Sequence, residues 1–289
     1  MHIAVIGDAN LDVSAPLAAS PEAGGERRAE IRAVPGGSAA TFARQASRSG
    51  ATVTFFCAVG ADLLGDVLVA SLEDDGVTVR ATRSRRPTGV VLALWGDGER
   101  TMLCSRGANE ELTLSAADES RLLEADHVHV SGYALLSGGQ RVAARRAIER
   151  ARRQGTTCSV DPPPASLIRS TGRSSFVAEL ANVDWLFPNL EEGRVLTGRR
   201  APEKIVEALA SRHGAGALTM GADGARAWRG GERSEVTGST ILDVDPTGAG
   251  DAFAAAFVVS LLEDAELGEA TRRASAGAAA FLASRPEAA

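Results

Sequence analysis

The sequence predicts an α/β protein built on a mostly parallel sheet covered by helices on both faces. Two observations lead there. Short β-branched or apolar runs alternate with helical stretches through short connections, the pattern of strands joined by helical crossovers. Glycine-rich turns, above all Pro35-Gly36-Gly37-Ser38 and Thr247-Gly248-Ala249-Gly250, precede alanine-rich helical stretches, so the backbone can approach a ligand there.

Residues 2–6 form a short apolar run ending at Gly7, a buried first strand. Residues 15–32, with Gly24-Gly25, are too irregular for a helix, and a helix opens after Gly37 and runs to about Arg48. Residues 51–59 are β-branched and aromatic, a second strand. Residues 60–75 carry Leu63, Leu64, Val67, Leu68 and Leu72 at helical spacing. Residues 88–95 and 100–105, joined by Gly96-Asp97-Gly98, read as a β-hairpin. Strands follow at 127–131, 158–161, 184–187 and 217–220, and helices at 140–153, 191–196, 203–211 and 266–283. No internal repeat or linker interrupts the chain.

Apolar residues make up 44% and charged residues 24% of 289, ordinary for a globular chain able to bury a large core. The net charge of −6 and the lack of a basic tail argue against a nucleic-acid partner. Cys57, Cys104 and Cys158 are widely spaced and form no Cys-x-x-Cys pair, which argues for a reducing compartment. Residues 1–7 lack the features of a signal peptide and no apolar run has membrane-spanning length, so the expectation is a cytoplasmic protein without a membrane partner. Lys204 is the only lysine. That excludes a P-loop and a protein-kinase site, both of which need a lysine at the phosphates. Phosphate chemistry here must rest on backbone amides, a metal ion and arginines.

The stretch richest in chemistry is Asp245-Pro246-Thr247-Gly248-Ala249-Gly250-Asp251. Thr240-Ile241-Leu242 reads as a strand leading in, and residues 252–262 as a buried helix leading out. The first turn of that helix offers free N–H groups and the positive end of the helix dipole, a site for an anion. Asp251 sets a carboxylate beside it. A carboxylate repels a bound phosphate, but it makes sense if it takes a proton from a hydroxyl attacking phosphorus. Taken alone, Asp251 is equally an N-capping residue.

This heptapeptide resembles the C-terminal signature of the ribokinase-like (PfkB) carbohydrate kinases, Asp-Thr-Thr-Gly-Ala-Gly-Asp, and departs from it only at Pro246. Other segments resemble the family in its own order: Asn10-Leu11-Asp12 after the first strand, Gly36-Gly37 with Thr41 where the family has Asn, Val59-Gly60-Ala61-Asp62 with Gly65, and Asn189-Leu190-Glu191-Glu192. The resemblance implies a three-layer α/β/α sandwich in one domain, residues 1–289, with a small β-sheet lid from segments at about 11–35 and 85–106. It implies transfer of the γ-phosphoryl group of ATP to a hydroxyl of a sugar or sugar-like molecule, with magnesium. Asp251 would be the general base, and Gly248, Ala249 and Gly250 the anion hole. Asn10, Asp12, Gly36, Gly37 and Thr41 would hold the acceptor. Asn189, Thr219, Gly221 and Gly224, with Gly248 and Gly250, would hold the nucleotide. Glu192 would serve magnesium through water, and Asp245 and Thr247 a monovalent cation such as potassium.

Each of these residues also has a plainer reading. Asn10 and Asp12 share one face of an extended segment and can grip vicinal hydroxyls, or serve turn chemistry after a strand. Asn189 and Glu192 face one site, or simply begin a solvated helix. Residues 219–225 are a glycine-rich turn. Arg106 suits a substrate carboxylate or phosphate, or is a solvated lid arginine. Asp161 ends a strand at the ligand edge and caps a helix or touches substrate. His127 and His129 share a strand face, but no third metal ligand has suggestive spacing. The acceptor stays open among sugars, sugar acids of the ketodeoxygluconate type and nucleosides. A non-catalytic sugar or nucleotide sensor is the alternative from another class. A dinucleotide oxidoreductase is argued against, because no Gly-x-Gly-x-x-Gly follows the first strand. A homodimer through the lid is expected, since Val90, Val91, Leu92, Leu94 and Trp95 are more apolar surface than a small flap buries.

Overall fold

β1 (His2–Ile6) is the strand from which the larger sheet grows. Ile3 to Ile6 are fully buried, as expected of a parallel strand covered on both faces. It pairs in parallel with β4 (Thr52–Gly60) on one side and β8 (His127–Ser131) on the other. β5 (Val77–Ser84) adds beyond β4. β9 (Thr157–Asp161), β10 (Trp185–Leu186) and β11 (Ala215–Thr219) add in parallel beyond β8. An antiparallel hairpin, β12 (Ala225–Arg229) and β13 (Glu232–Val236), closes that edge. The order is β13-β12-β11-β10-β9-β8-β1-β4-β5. β2 (Asn10–Pro16), β3 (Arg32–Gly36), β6 (Gly89–Gly96) and β7 (Glu99–Ser105) form a second sheet in the order β3-β2-β6-β7. This computed structural model describes residues 1–16, 28–96, 99–238 and 245–284. The strand expected at 240–242 and the hairpin turn at 97–98 lie outside them.

Helices cover both faces. On one lie α1 (Ser38–Arg48), α2 (Leu63–Asp74), α9 (Ala249–Leu262) and α10 (Leu267–Ala283). On the other lie α3 (Ala116–Leu122), α4 (Gly138–Gln154), α5 (Ala165–Thr171), α6 (Arg173–Glu179), α7 (Leu190–Thr197) and α8 (Pro202–Ala210). α9 is apolar almost all round because it is buried all round, with Phe253, Phe257 and Val258 in one core with Phe42 of α1. α4 buries only a stripe, Gln140, Ala143, Ala144, Ala147, Ile148 and Ala151, and turns its arginines outward. The expected α/β architecture, with its mostly parallel sheet and small second sheet, is the one observed.

Some elements differ from expectation. α2 begins at Leu63, not near Gly60, because the Asp62 carboxylate caps it, accepting from the Gly65 N–H at 2.8 Å. Leu68 and Leu72 pack inward, while Leu63 and Val67 stay exposed, since a single helix face reaches the sheet. β5 was not expected: as an edge strand it mixes threonine and arginine with its valines, and only Val77 and Ser84 are buried. α5 and α6 were missed as well, because seven residues are too few to display a helical period.

His127 and His129 are core residues. His127 Nδ1 and Nε2 lie 2.8 and 2.7 Å from Thr157 Oγ1 and Ser159 Oγ, and His129 Nδ1 lies 2.8 Å from Ser159 Oγ. The His129 ring stacks on Phe42 with centroids 3.5 Å apart. Among the described residues no group of three or more His, Cys, Asp or Glu could hold a metal ion by itself. Burial pushes His127 down to about 3, and burial with the nearby His127 pushes His129 down well below the ordinary histidine range. The folded state therefore favours neutral rings. That contribution to stability is complete above the unfolded-state value of about 6.5 and is lost as the pH falls from there toward 3. Melting temperature should fall on acidification below about pH 6.5, and the fall should be smaller in His129→Phe, measured by scanning calorimetry at matched ionic strength.

Candidate active site

The chain leaves β1 for one neighbour, β4, and reaches the other, β8, by a separate route. Such a switch point opens a crevice at the carboxyl ends of the strands. Gly7-Asp8 leaves β1 there, Ser131 ends β8, Asp161 ends β9, and Asn189 follows β10. The sequences beyond these ends are the ones with chemistry.

Asp251 sits in the first turn of α9 and is buried. Its Oδ1 accepts from Ser38 Oγ at 2.7 Å, and Ser38 Oγ in turn accepts from Ser131 Oγ at 3.2 Å. Burial pushes the Asp251 carboxyl up to about 7, with the charge of Asp12 adding to the rise and hydrogen bonds from Ser38 and Asp161 opposing it. Asp161 is raised well above the ordinary carboxylate range, first by burial and then by the charges of Asp251 and Glu192. Hydrogen bonding between the two carboxyls adds to the rise at Asp161 and opposes it at Asp251. Two carboxyl groups in one buried place cannot both ionise readily, and their titrations are shared.

Gly248 precedes α9 in the left-handed conformation, φ 89°, which favours glycine. A Cβ there would lie 2.9 Å from the Phe281 ring and 3.3 Å from Thr41 Cγ2. The Ala249 N–H is taken by Pro246 O at 3.1 Å. The amides of Gly250 and Asp251, within the first turn, have no intrahelical acceptor and are the ones oriented for an anion. Asp245 Oδ1 accepts from Thr247 N at 3.0 Å and Thr247 Oγ1 at 2.7 Å, a local turn.

Asn10 and Asp12 stand on one face of β2, as their spacing requires. Gly36 ends β3 directly opposite Asn10 and lies against the Asp12 carboxylate, so that a side chain there would displace it. Gly37, φ 105°, starts α1 and presses on the Asp8 carbonyl. Thr41 is in the first turn of α1 beside Gly248. Asn109 fixes Asn10: its Nδ2 donates to Asn10 Oδ1 at 2.7 Å, and its Oδ1 accepts from Ala9 N at 3.1 Å.

Asn189 and Glu192 form a capping box at the start of α7. Glu192 N donates to Asn189 Oδ1 at 2.9 Å, and the Glu192 carboxylate accepts from Asn189 N at 2.9 Å and Asn189 Nδ2 at 2.6 Å. Glu192 is buried. Burial pushes it up to about 8, helped by the Asp251 charge and opposed by the hydrogen bonds from Asn189. Thr219 is drawn beside it through a bridge to Asn189, with Thr219 N donating to Pro188 O at 3.0 Å. Gly221 and Gly224 both have positive φ in the next turn, and Gly224 packs on the Val236 carbonyl.

Arg106 is half-buried and paired. It forks onto Asp8, with Nη1 to Oδ2 and Nη2 to Oδ1 both 3.2 Å, and donates to Gln140 Oε1 at 2.5 Å. Gln140 Nε2 donates to Asp8 Oδ1 at 2.6 Å, inside the protein. Sequence reasoning missed Asp8, Ser38, Ser131 and Gln140. Ser38 alone carried a local signal, as the first polar side chain after a glycine pair that opens a helix.

The profile of the pfkB family carbohydrate kinases matches residues 1–288. The chain is 32% identical over 284 residues to the ATP-dependent ribose-1-phosphate kinase of Halopiger xanaduensis, covering 93% of this chain and 88% of that protein. It is 28% identical over 255 residues to the ribokinase of Haemophilus influenzae, covering 84% of this chain and 79% of that protein. An Escherichia coli protein described as a ribokinase II, solved with ATP and Mg2+, superposes with a TM-score of 0.86 at 24% identity, covering 99% of this chain and 94% of that one. The chain belongs to the pfkB family of carbohydrate kinases.

Proposed function

We propose that the chain transfers the γ-phosphoryl group of ATP to a hydroxyl of a sugar-like acceptor held between its two sheets, with Asp251 as the base. The observation that carries this reading is the position of Asp251. Its carboxylate is at the start of α9, beside amides suited to an anion, and within reach of the β2–α1 groups suited to hydroxyls. A base of about 7 is poised for work near neutral pH. Asp251 takes the proton of the acceptor hydroxyl as the hydroxyl oxygen bonds to the γ-phosphorus. The bond from that phosphorus to the bridging oxygen breaks, and ADP leaves. The Gly250 and Asp251 amides, with Gly248 allowing their approach, stabilise charge on the transferred group. Asn189, Thr219, Gly221 and Gly224 hold the nucleotide, and the small sheet, whose strands β2, β3, β6 and β7 fall almost wholly in the segments expected at about 11–35 and 85–106, acts as the lid.

Magnesium fits this donor set. Glu192 is a buried carboxylate raised by its surroundings and beside a second acid, which a cation would relieve. Because its oxygens are engaged by Asn189, it would hold the ion through water, as magnesium tolerates. Bound there, the ion would neutralise charge on the phosphates. Glu192→Gln preserves the capping box and should raise the magnesium needed for half-maximal rate by about 10- to 100-fold. An unchanged magnesium titration would remove Glu192 from the site. The same titration in potassium and in a bulky organic cation tests the monovalent ion proposed at Asp245 and Thr247, which equal rates would dismiss.

The homodimer belongs to the same proposal. Met102 and Leu103 on β7 and Val34 on β3 are exposed, and Val90, Leu92, Met102 and Leu103 line a concavity of about 450 Å³ on the small sheet. Light scattering at micromolar concentration should give twice the chain mass, and Leu103→Glu should give a monomer; a wild-type monomer with and without acceptor contradicts the dimer.

A further inference from the structure

We infer that Asn109 is a positioning residue for acceptor binding: it locks the Asn10 carboxamide so that its nitrogen, not its oxygen, meets the acceptor, an inference that rests on the kinase reading above. Asn109 lies in the short 3₁₀ helix Gly107–Glu111 and is fully buried. The main chain sets its orientation. Its Oδ1 accepts from Ala9 N at 3.1 Å, and a main-chain N–H can only donate. Its Nδ2 therefore faces the other way, donating to the Arg106 carbonyl at 3.1 Å and reaching the Ala9 carbonyl at 3.3 Å, both of which can only accept. A reversed amide would set donor against donor and acceptor against acceptor. Asn109 Nδ2 also lies 2.7 Å from the Asn10 carboxamide, so the Asn10 atom there must be the acceptor, Oδ1.

One asparagine thus passes the polarity of the main chain to the next. Asn10 Nδ2 is the end of the carboxamide turned from Asn109, with two hydrogens to donate. Asn10 shares its face of β2 with Asp12, whose charge acts on Asp251, so this face is the one turned to the reacting groups. Gly89, the first residue of β6, pairs opposite Asn10 and lets the two amides meet. A Cβ there would lie 2.3 Å from Asn10 Oδ1 and 2.4 Å from Asn109 Nδ2. Arg106 supports the same turn: its side chain forks onto Asp8 while its carbonyl holds Asn109. The acceptor atom opposite Asn10 must then carry a lone pair, and this contact does not use any hydrogen on it. A hydroxyl meets that demand, and so does the fluorine of a fluorodeoxy sugar; a methylene does not. An Asn10 turned the other way would ask for a hydrogen, which fluorine lacks.

The test is equilibrium binding by titration calorimetry, first with ribose, glucose and adenosine, then with monodeoxy and monofluoro analogues of the tightest. The hydroxyl opposite Asn10 is the one whose removal weakens binding to the wild type but not to Asn10→Ala. At that position the fluoro analogue should bind the wild type about 2- to 10-fold more tightly than the deoxy analogue. Asn109→Ala frees the Asn10 carboxamide to turn, and Gly89→Ala forces the two amides apart. Each, checked by its melting curve, should abolish that difference and leave ATP affinity at the wild-type value. A merely structural Asn109 would weaken both analogues alike and keep their ratio. Should Asn109→Ala not fold, the wild-type ratio and Gly89→Ala decide. A fluoro analogue no tighter than the deoxy one, no hydroxyl answering to Asn10, or no binding of any of the three probes would overturn the inference, as would an unchanged ratio in a folded variant. Sugar binding without acceptor-dependent ADP formation counts against the kinase reading, and the binding ratios still decide this inference.

Discussion

Asp251→Asn should lower acceptor phosphorylation by about 10²- to 10⁴-fold, the usual cost of losing a general base, while raising the melting temperature near neutral pH. Asparagine keeps the size of the side chain, and its Oδ1 still accepts from Ser38. What it lacks is the proton acceptor. The stability gain follows from the direction of the shift. The folded-state value of Asp251, about 7, is above the ordinary 3.8, so the fold favours the protonated form. Its contribution is complete below 3.8 and is lost as the pH rises through 7. The difference in melting temperature between variant and wild type should therefore be largest near pH 8 and vanish near pH 4. Activity of the wild type should rise with pH through an apparent value near 7, which belongs to the Asp251–Asp161–Glu192 group together and not to one residue. A base bought at the cost of stability is a common trade at active sites. Near wild-type turnover in the variant would sink the catalytic role.

Gly37→Ala should both destabilise the fold and depress activity. Its φ of 105° lies where side chains are strained, and a Cβ would run into the Asp8 carbonyl, which is backbone and cannot swing aside. The conformational strain is about 1–3 kcal/mol, and the overlap adds about as much again. Any relief moves Ser38, the next residue, whose hydroxyl sets the Asp251 carboxylate. Gly230→Ala is the control: its φ is 55° and nothing stands within 4 Å of the new Cβ, so only the conformational cost should appear. Equal melting temperatures and equal rates for the two variants would show that the close approach at Gly37 has no consequence.

The heptapeptide at 245–251 was legible because its chemistry is local: glycines, a helix start and an acid lie within seven residues. The same holds for Asn10 with Asp12 and for the Asn189–Glu192 box, where spacing alone fixes which side chains meet. The rest of the site comes from contacts that sequence spacing does not encode. Ser38 and Asp251 are 213 positions apart, and Gln140 and Asp8 are 132 apart. Arg106 was visible as a cation, but its partner was not. It was accordingly weighed as a contact for a substrate carboxylate or phosphate or as a solvated lid residue, and the fold pairs it with Asp8. Asp161 was read as a helix cap or a substrate contact, and its neighbour Asp251, which the fold sets beside the end of β9, was not visible in the sequence. In the fold, the long alternation of buried strands and helices was plain in the sequence. The edge strand β5 and the short helices α5 and α6 were not, because polar edges and seven-residue helices leave little period to detect.

Acceptor-dependent formation of ADP by the wild-type chain is the measurement closest to the central claim. With ATP, magnesium and a panel of neutral sugars and nucleosides, ADP should form only when an acceptor is present, in equal amount to a new phosphate monoester seen by phosphorus NMR, and Asp251→Asn should bind ATP yet form neither. ATP and sugar binding without any acceptor-dependent ADP in the wild type would contradict it, and would make the chain a sensor that has kept the architecture of a kinase.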